Sequence, residues 1–209
     1  MPLLEERGIS VRTLDLPSVG ADPGDESGLS GDSAAVAGLL DETGGGAVVL
    51  GHSYGGMVIT AATAGRSDVR HLVYLAAFMP DAGESLFALT GGEPAPWIVQ
   101  NEDGRVIADL AQAADVFYAD CDEETQQAAI DRLQPMPPAS FVEPVQEAAW
   151  RSIPNTYVVC AQDRALPPEL QRGVFAPRAA EVVELEASHS PFYSQPGVLA
   201  DLVAARAAS

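Results

Sequence analysis

The sequence predicts an α/β fold: a mostly parallel sheet with helices on both faces and a helical cap inserted between two of its strands. Two observations predict the sheet. Short apolar runs bounded by glycine, proline or polar residues recur along the chain, as is typical of strands buried on both faces, and helical patterns separate them. Strands that alternate with helices form parallel sheets. A third observation predicts the insertion, because the strand pattern stops between Asp81 and about Arg151.

Apolar runs and one alternating segment are predicted as strands. The apolar runs are Ala47–Gly51, His71–Phe78, Thr156–Ala161 and Glu181–Leu185. The alternating segment, Ile9–Leu16, is rich in β-branched side chains and ends at Pro17. We expect Ala47–Gly51 to be buried on both faces, because all of its residues are apolar.

Helical patterns flank these strands. Met1–Arg7 is predicted as the end of a helix that Gly8 caps. After a loop rich in glycine, aspartate and serine, Ala34–Leu40 is predicted as a helix with Asp32 or Ser33 as its N-cap. Two further helices are predicted at Gly55–Ala64 and Pro196–Ala208.

The segment 81–150 is predicted as a helical cap insertion on a core formed by 1–80 and 151–209. One apolar helix face consists of Ile107, Leu110, Ala114 and Phe117, and a second of Ala129, Ile130 and Leu133. Asp122 is the expected N-cap of the second helix, and Pro135 interrupts it. These faces must rest on the sheet or on each other, which would place a lid over one end of the sheet. The aromatic candidates for pocket walls, with packing inside the cap as the alternative for each, are Trp97, Phe117, Phe141 and Trp150.

Composition argues against several classes of function. The 209 residues carry 30 acidic side chains against 11 arginines and no lysine, a formal charge of −19. This excess repels phosphate groups and anionic lipids, so we expect no nucleic-acid partner and no membrane association. Cys121 and Cys160 are too few for a disulfide framework, and no apolar run approaches the roughly 20 residues of a membrane span. Because Glu5 and Glu6 lie where a signal peptide would be basic, a cytoplasmic protein is predicted.

The most informative stretch is Gly51-His52-Ser53-Tyr54-Gly55, a Gly-x-Ser-x-Gly motif between a predicted buried strand and a predicted helix. We expect the glycines at 51 and 55 to permit a sharp turn, because side chains there would collide as the backbone reverses. Such a turn presents Ser53 outward as a nucleophile and directs the backbone N–H of Tyr54 toward a developing oxyanion. An ordinary tight turn is the alternative interpretation.

A nucleophilic serine needs a base, and the chain has three histidines. His52 lies inside the motif, where its side chain should diverge from that of Ser53. His71 begins a predicted strand. His189 follows the last predicted strand, at the carboxyl edge of the sheet, so it is predicted as the base by elimination.

The base in turn needs an acid that orients it. Asp163 comes directly after the strand Thr156–Ala161, on the same edge of the sheet as Ser53 and His189, and is predicted in this role. Asp81, which follows the run that begins at His71, is the alternative acid.

The order Ser53, Asp163, His189 resembles the triads of the α/β-hydrolase superfamily. The stretches 51–59 and 71–80 look like the subgroup that contains plant methylesterases, hydroxynitrile lyases and related bacterial esterases. The resemblance covers nearly the whole chain and is weakest in 81–150. It implies a serine hydrolase that cleaves a small uncharged carboxylic ester, lactone or thioester through an acyl-enzyme, without a metal or an organic cofactor. A homodimer is compatible with the sequence, which does not fix the oligomeric state.

Two departures from the family pattern bear on this expectation. The family's opening strand, whose following loop supplies a second oxyanion N–H, has no counterpart before Pro2. We therefore expect a gap between Ile9–Leu16 and Ala47–Gly51, or direct pairing of the two, and a weaker oxyanion hole; deletion of one donor costs roughly 10²–10³ in rate in a related chemistry. A hydrolase-like protein that binds a ligand with little turnover is the alternative function.

The second departure is the residue after the predicted base. Ser190 follows His189 where hydroxynitrile lyases have a lysine, which disfavours lyase activity.

Overall fold

The computed structural model of the protein describes residues 1–20 and 27–208. Within these ranges the strands are β1 (Ala47–His52), β2 (Val69–Leu75), β3 (Ile98–Gln100), β4 (Val106–Ala108), β5 (Asn155–Cys160) and β6 (Glu181–Leu185). Four of these strands form the parallel central sheet, in the order β1-β2-β5-β6. The strands of the central sheet overlap the four predicted apolar runs, so their assignment as strands is confirmed. The expected burial was wrong for β6, most of which is exposed because it lies at the edge of the described sheet and pairs with β5 alone. β2 ends before its predicted limit because the backbone turns at Ala76, where φ is +41°.

Helices account for most of the remaining regular structure. They are α1 (Pro2–Glu5), α2 (Gly28–Asp41), α3 (Gly55–Ala62), α4 (Leu86–Leu89), α5 (Ala113–Phe117), α6 (Glu123–Ile130), α7 (Ala139–Val142), α8 (Pro168–Leu170), α9 (Pro191–Ser194) and α10 (Pro196–Ala208). α1 and its cap at Gly8, where φ is +75°, agree with prediction, as do α3 and α10. None of the helices in the described ranges is long and apolar enough to cross a membrane.

The two faces of the sheet are covered by different helices. Alternate residues of a strand point to opposite faces, so β1, β2 and β5 each contribute to two apolar clusters, whereas β6 contributes only to the one beneath α10. The α3 face contains Met57, Val58, Leu72, Tyr74, Tyr157 and Val159. The α10 face contains Val73, Leu75, Val158, Cys160, Leu199, Leu202 and Val203. The predicted arrangement, with helices on both faces, is therefore confirmed.

β1 is less buried than the sequence predicts. Its residues Ala47, Val48 and Val49 are half-buried, and Leu50 is 37% exposed. Within the described part of the chain β1 pairs with β2 alone, so a second neighbouring strand does not cover it. The expectation that this strand is buried on both faces was wrong for that reason.

Ile9–Leu16 does not form a strand, contrary to prediction. These residues have no regular secondary structure and form no ladder with β1, so direct pairing, one of the two arrangements expected for these segments, does not occur. A strand requires a neighbour whose backbone groups satisfy its own, and none of the described strands provides one here. The alternation reflects partial burial instead: Leu16, for example, packs against the α3-side cluster.

α2 begins earlier than predicted, at Gly28, and Ser27 precedes it without a side-chain cap. Asp32 therefore lies inside the helix and is not its N-cap, and neither is Ser33. The buried carboxylate of Asp32 accepts hydrogen bonds from the N–H of Ser18 at 2.8 Å and from its hydroxyl at 2.6 Å. Part of the predicted loop, 21–26, lies outside the described residues.

The segment 81–150 contributes no described strand to the central sheet. It contains four short helices, α4 to α7, and the antiparallel hairpin β3–β4. The predicted helix face that begins at Ile107 was wrong, because Ile107 lies in β4, Leu110 lies in a loop, and only the last part of that pattern forms α5. α6 is confirmed, and its N-cap Asp122 accepts a hydrogen bond from the N–H of Thr125 at 2.8 Å.

The two cysteines differ in environment, and neither forms a disulfide. Cys160 ends β5 and is fully buried beneath α10, and its burial raises the pKa of its thiol. Cys121 is half-buried in the turn between α5 and α6, and partial burial together with Asp120 raises its pKa as well.

Candidate active site

Ser53 occupies the sharp turn between β1 and α3. Its φ is +54°, in the left-handed region that residues other than glycine rarely adopt. The turn is held by two backbone hydrogen bonds: the N–H of Ser53 donates to the carbonyl of Leu75 at 3.3 Å, and its carbonyl accepts from the N–H of Phe78 at 3.1 Å. Ser53 is thus fixed at the carboxyl edge of the sheet, in the exposed strand-to-helix geometry that suits a nucleophile.

At this turn, Gly51 and Gly56 are the positions where a side chain would collide with the backbone. A Cβ on Gly51 would lie 2.5 Å from the carbonyl oxygen of Gly55, and one on Gly56 would lie 1.9 Å from the carbonyl oxygen of Phe78. A Cβ on Gly55 would meet nothing within 4 Å. The expectation that Gly55 avoids a collision was therefore wrong, and the third glycine, at 56, has that role because α3 packs directly on the backbone after β2.

Asp163 is buried in the loop after β5, and hydrogen-bond donors surround its carboxylate. Oδ1 accepts from the N–H groups of Ala165 at 2.8 Å and Leu166 at 2.9 Å. Oδ2 accepts from Nε2 of the buried Gln171 at 2.8 Å and contacts Nδ1 of His189 at 2.7 Å. Four donors on two oxygens fix the orientation of the carboxylate.

His189 lies in the loop after β6 and is 2% exposed. Its contact with Asp163 at 2.7 Å places Nδ1 as the donor, which leaves Nε2 free to accept a proton. The alternative acid, Asp81, forms an ion pair with Arg151 instead. His71 contacts the hydroxyl of Thr156 at 2.8 Å, within the sheet. The structure thus brings Asp163 and His189 together as predicted, while their catalytic roles stay predictions.

His52 has a contact that the sequence analysis missed. Its Nε2 lies 2.8 Å from the backbone carbonyl of His189, and the two rings are 4.5 Å apart between centroids. Phe192 packs edge-on against the other side of His52, at 5.0 Å. Burial of the ring, together with the proximity of His189, lowers the pKa of His52 to about 3, so the ring is neutral near pH 7. Its Nε2–H therefore donates to the carbonyl of the predicted base.

We expect the hydrogen bond from His52 to matter for turnover. His52→Phe, which removes the donor, should lower kcat/KM by about 3- to 10-fold, the effect of one lost hydrogen bond. His52→Gln keeps an N–H donor of similar reach and should retain most of the activity. Steady-state kinetics on an activated ester would compare the two variants. Equal losses in both would show that the hydrogen bond is not responsible.

Ser53 and His189 line the same cavity, which has a volume of about 340 Å³. Most of its other lining residues are aromatic or aliphatic, and they come from the segment 81–150 and from the region of α9. They include Phe117, Tyr118, Ala129, Leu133, Phe192 and Tyr193. A cavity of this size suits a small organic ligand.

The aromatic candidates from 81–150 have different environments. Phe117 lines the cavity, and Trp97 packs edge-on against it at 4.9 Å. Phe141 and Trp150 pack against the α3-side cluster, away from the lining residues of the cavity. The sequence analysis did not propose Phe192 and Tyr193, which line the cavity from α9. The sequence after His189 has no pattern that distinguishes residues that line a cavity from residues of the core.

Tyr54 precedes α3 as its N-cap residue, so its backbone N–H lies at the helix N-terminus as predicted. Its phenol donates a hydrogen bond to the carboxylate of Asp32 at 2.8 Å. Burial and the charge of Asp32 raise the pKa of Tyr54, which keeps the phenol protonated as a donor. The tyrosine ring is thereby anchored to α2. The role of its N–H as an oxyanion donor stays a prediction.

Comparison with known proteins shows the family to which this chain belongs. Residues 1–202 match the model of a family described as the alpha/beta hydrolase family. The chain belongs to that family. This alpha/beta hydrolase is 34% identical over 225 residues to the pyrethroid hydrolase of Sphingobium wenxiniae, and the match covers 98% of this chain and 80% of that protein. It is 30% identical over 177 residues to an alpha/beta hydrolase of Aspergillus novofumigatus, which covers 78% of this chain and 71% of that protein.

Solved structures agree with this assignment. The crystal structure of a pyrethroid hydrolase from Sphingobium faniae matches this alpha/beta hydrolase with a TM-score of 0.84 at 30% identity, over 100% of this chain and 90% of that one. Polyneuridine aldehyde esterase matches with a TM-score of 0.80 at 22% identity, over 97% of this chain and 89% of that one, which shows a shared fold. The predicted fold class and the predicted family resemblance are confirmed.

Proposed function

We propose that this alpha/beta hydrolase cleaves a small uncharged carboxylic ester, or a related lactone or thioester, through an acyl-enzyme. One observation carries the proposal: Ser53, held in a strained turn, opens into the same cavity as His189, whose Nδ1 lies 2.7 Å from the buried Asp163. Aromatic and aliphatic side chains form much of the cavity wall and favour uncharged acyl and alcohol groups, although Arg132 also lines the cavity. Relatives named as a pyrethroid hydrolase and as methylesterases support an ester as the substrate.

Each residue has a defined part in the proposed reaction. The oxygen of Ser53 attacks the ester carbonyl carbon while Nε2 of His189 takes the hydroxyl proton, and Asp163 stabilises the resulting imidazolium. The N–H of Tyr54 donates to the oxyanion of the tetrahedral intermediate. The intermediate collapses, the C–O bond to the alcohol breaks, and His189 returns the proton to the leaving oxygen. Water then attacks the acyl-enzyme by the same route, which releases the acid and restores Ser53.

A fluorophosphonate serine probe tests this proposal. We expect rapid labelling of the protein, with the adduct on the peptide that contains Ser53, and at least roughly 10³-fold slower labelling in Ser53→Ala and His189→Ala. Mass spectrometry would locate the adduct. Ser190 lines the same cavity and lies on a different peptide, so an adduct there would contradict the assigned nucleophile.

An ester panel completes the test. Hydrolysis of small neutral esters by the wild-type protein, with none by Ser53→Ala, is the expected result. A protein that binds such esters with equal affinity in both forms and turns over neither would be a ligand-binding member of the family, and the proposal would fail.

A further inference from the structure

Asp120 binds the residue that directly precedes the predicted base. It lies in the turn between α5 and α6, and its carboxylate accepts a hydrogen bond from the N–H of Ser188 at 2.9 Å. Its second oxygen accepts from the hydroxyl of the same serine. Ser188 is fully buried, so both of its donors depend on partners within the protein. An acidic side chain of the segment 81–150 thus holds the loop that carries His189.

The carboxylate of Asp120 is suited to this contact because it is charged. Partial burial acts to raise the pKa of Asp120, but hydrogen bonds from Ser188, together with those from Ser194 and the backbone N–H of Asp120, hold that pKa below the usual value. Hydrogen bonds to an ionised acceptor are shorter and stronger than those between neutral groups.

Two ring contacts join the same parts of the molecule. The ring of Phe117 lies 5.6 Å from the ring of His189, between centroids, and Tyr118 packs edge-on against Tyr193 at 5.7 Å. The end of α5 and the residue after it therefore contact His189, directly after Ser188, and Tyr193 in α9. Asp120 itself is exposed, so these ring contacts, together with its hydrogen bonds to the buried Ser188, hold the segment 81–150 against the loop.

Residues 187–189 are consequently held one after another. The carbonyl of Ala187 accepts from the N–H of Gln162 at 3.0 Å, Ser188 is bound by Asp120, and the carbonyl of His189 accepts from His52. Of these partners, Asp120 belongs to the segment 81–150, Gln162 to the loop after β5, and His52 is the last residue of β1.

We propose that Asp120 is a positioning residue: by binding both donors of Ser188 it fixes the imidazole of His189, so that placement of the base depends on docking of the segment 81–150. This inference rests on the proposed function, because it assigns a role relative to the base. It makes the helical insertion a part of the catalytic geometry in addition to a wall of the cavity. A displacement of about 1 Å at a catalytic group can cost about 10²-fold in rate, so a support of this kind has a measurable effect.

Three variants test the proposal. Asp120→Ala removes both acceptors and should lower kcat and the rate of fluorophosphonate labelling by about 10- to 100-fold, with KM changed by less than about 2-fold. Asp120→Asn keeps an oxygen that can accept from the N–H of Ser188 and should recover part of the loss. Asp115→Ala is the matched control: it removes an aspartate of α5 whose ion pair with Arg164 is solvent-exposed, and activity should stay within about 2-fold.

The outcomes separate this inference from the proposed function. If the wild-type protein is not labelled at Ser53, the proposed function fails first. If the wild type is labelled and folded Asp120→Ala keeps its kcat, or loses activity through KM alone, the positioning role is overturned. Thermal unfolding identifies a variant that does not fold. In that case Asp120→Asn and Ser188→Ala each weaken the contact without abolishing it, and each should lower kcat by about 3- to 10-fold; unchanged kcat in both also overturns the proposal.

Discussion

Asp163→Asn is expected to lower kcat by about 10⁴-fold, the largest effect of any substitution outside the nucleophile and base. The reason lies in the donors around the carboxylate. Gln171 and His189 donate to one oxygen, and the N–H groups of Ala165 and Leu166 donate to the other. An asparagine amide has one acceptor oxygen, so its NH₂ must face donors in either orientation.

Both orientations of the amide are unfavourable. With the NH₂ toward His189, it donates to Nδ1 and selects the tautomer protonated at Nε2, which cannot take the proton of Ser53. With the NH₂ toward Ala165 and Leu166, two buried backbone donors lose their acceptor, at a cost of about 1–3 kcal/mol each. We therefore expect a lower free energy of unfolding as well as the loss in kcat, measured by urea unfolding and by steady-state kinetics.

Asp81→Asn is the matched control for this experiment. Asp81 was the alternative acid, and its exposed ion pair with Arg151 should contribute little. Kinetics within about 2-fold of wild type are expected for it. A large loss in Asp81→Asn with normal turnover in Asp163→Asn would exchange the two assignments.

Gly56→Ala is expected to give the largest loss of stability. The added Cβ would lie 1.9 Å from the carbonyl oxygen of Phe78 and 2.9 Å from Cβ of Ala77. Neither atom can move independently, because the N–H of Phe78 donates to the carbonyl of Ser53 and holds the two segments together. Overpacking of a tight core costs about 1–3 kcal/mol and more where backbone must shift, so we expect at least about 3 kcal/mol.

Gly55→Ala provides the comparison. Its Cβ would meet no atom within 4 Å, and Gly55 is the first residue of α3. Because the gain from alanine over glycine applies fully only in a helix interior, the free energy of unfolding should stay within about 1 kcal/mol of wild type. Urea unfolding of the two variants measures the difference. A Gly56→Ala protein as stable as the wild type would mean that α3 is not packed on the backbone after β2 in solution.

The sequence predicts correctly those strands whose burial requires a run of apolar residues. The apolar runs 72–75 of β2 and 157–160 of β5 are fully buried because both faces of these two strands are covered. Ile9–Leu16 has the alternation of a strand, but a strand also needs a neighbour, and alternation does not report whether one is present. Asp32 resembles an N-cap in sequence, whereas its position is set by Ser18 and Tyr54, which are distant along the chain.

Local turn chemistry could have revealed one missed element. The hairpin β3–β4 turns at Asn101, whose side-chain oxygen accepts from the N–H groups of Asp103 and Arg105, and Gly104 adopts a φ of +77°. Asparagine and glycine between two short apolar runs are a recognised hairpin signal. The helical spacing of Ile107 with later residues concealed it.

The three candidate catalytic residues could be predicted from the sequence, but the residues that support them could not. Ser53, Asp163 and His189 could be selected because the chemistry of a nucleophile demands a base and an acid, and few residues at the sheet edge qualify. The supporting contacts of His52, Gln171 and Asp120 could not, because they join loops whose mutual distance depends on the packing of the whole domain.

Because Cys160 is buried, the rate at which its thiol reacts can measure how often the sheet opens. A thiol at the end of the third strand in the sheet order, beneath α10 and with a raised pKa, cannot meet a thiol reagent until that helix and the strand separate. In a Cys121→Ser background, the rate at which a reagent such as iodoacetamide modifies Cys160 therefore reports how often the native protein opens in buffer. Ligands that bind in the cavity stabilise the closed form, so they should lower the rate of Cys160 modification by a factor set by their binding free energy.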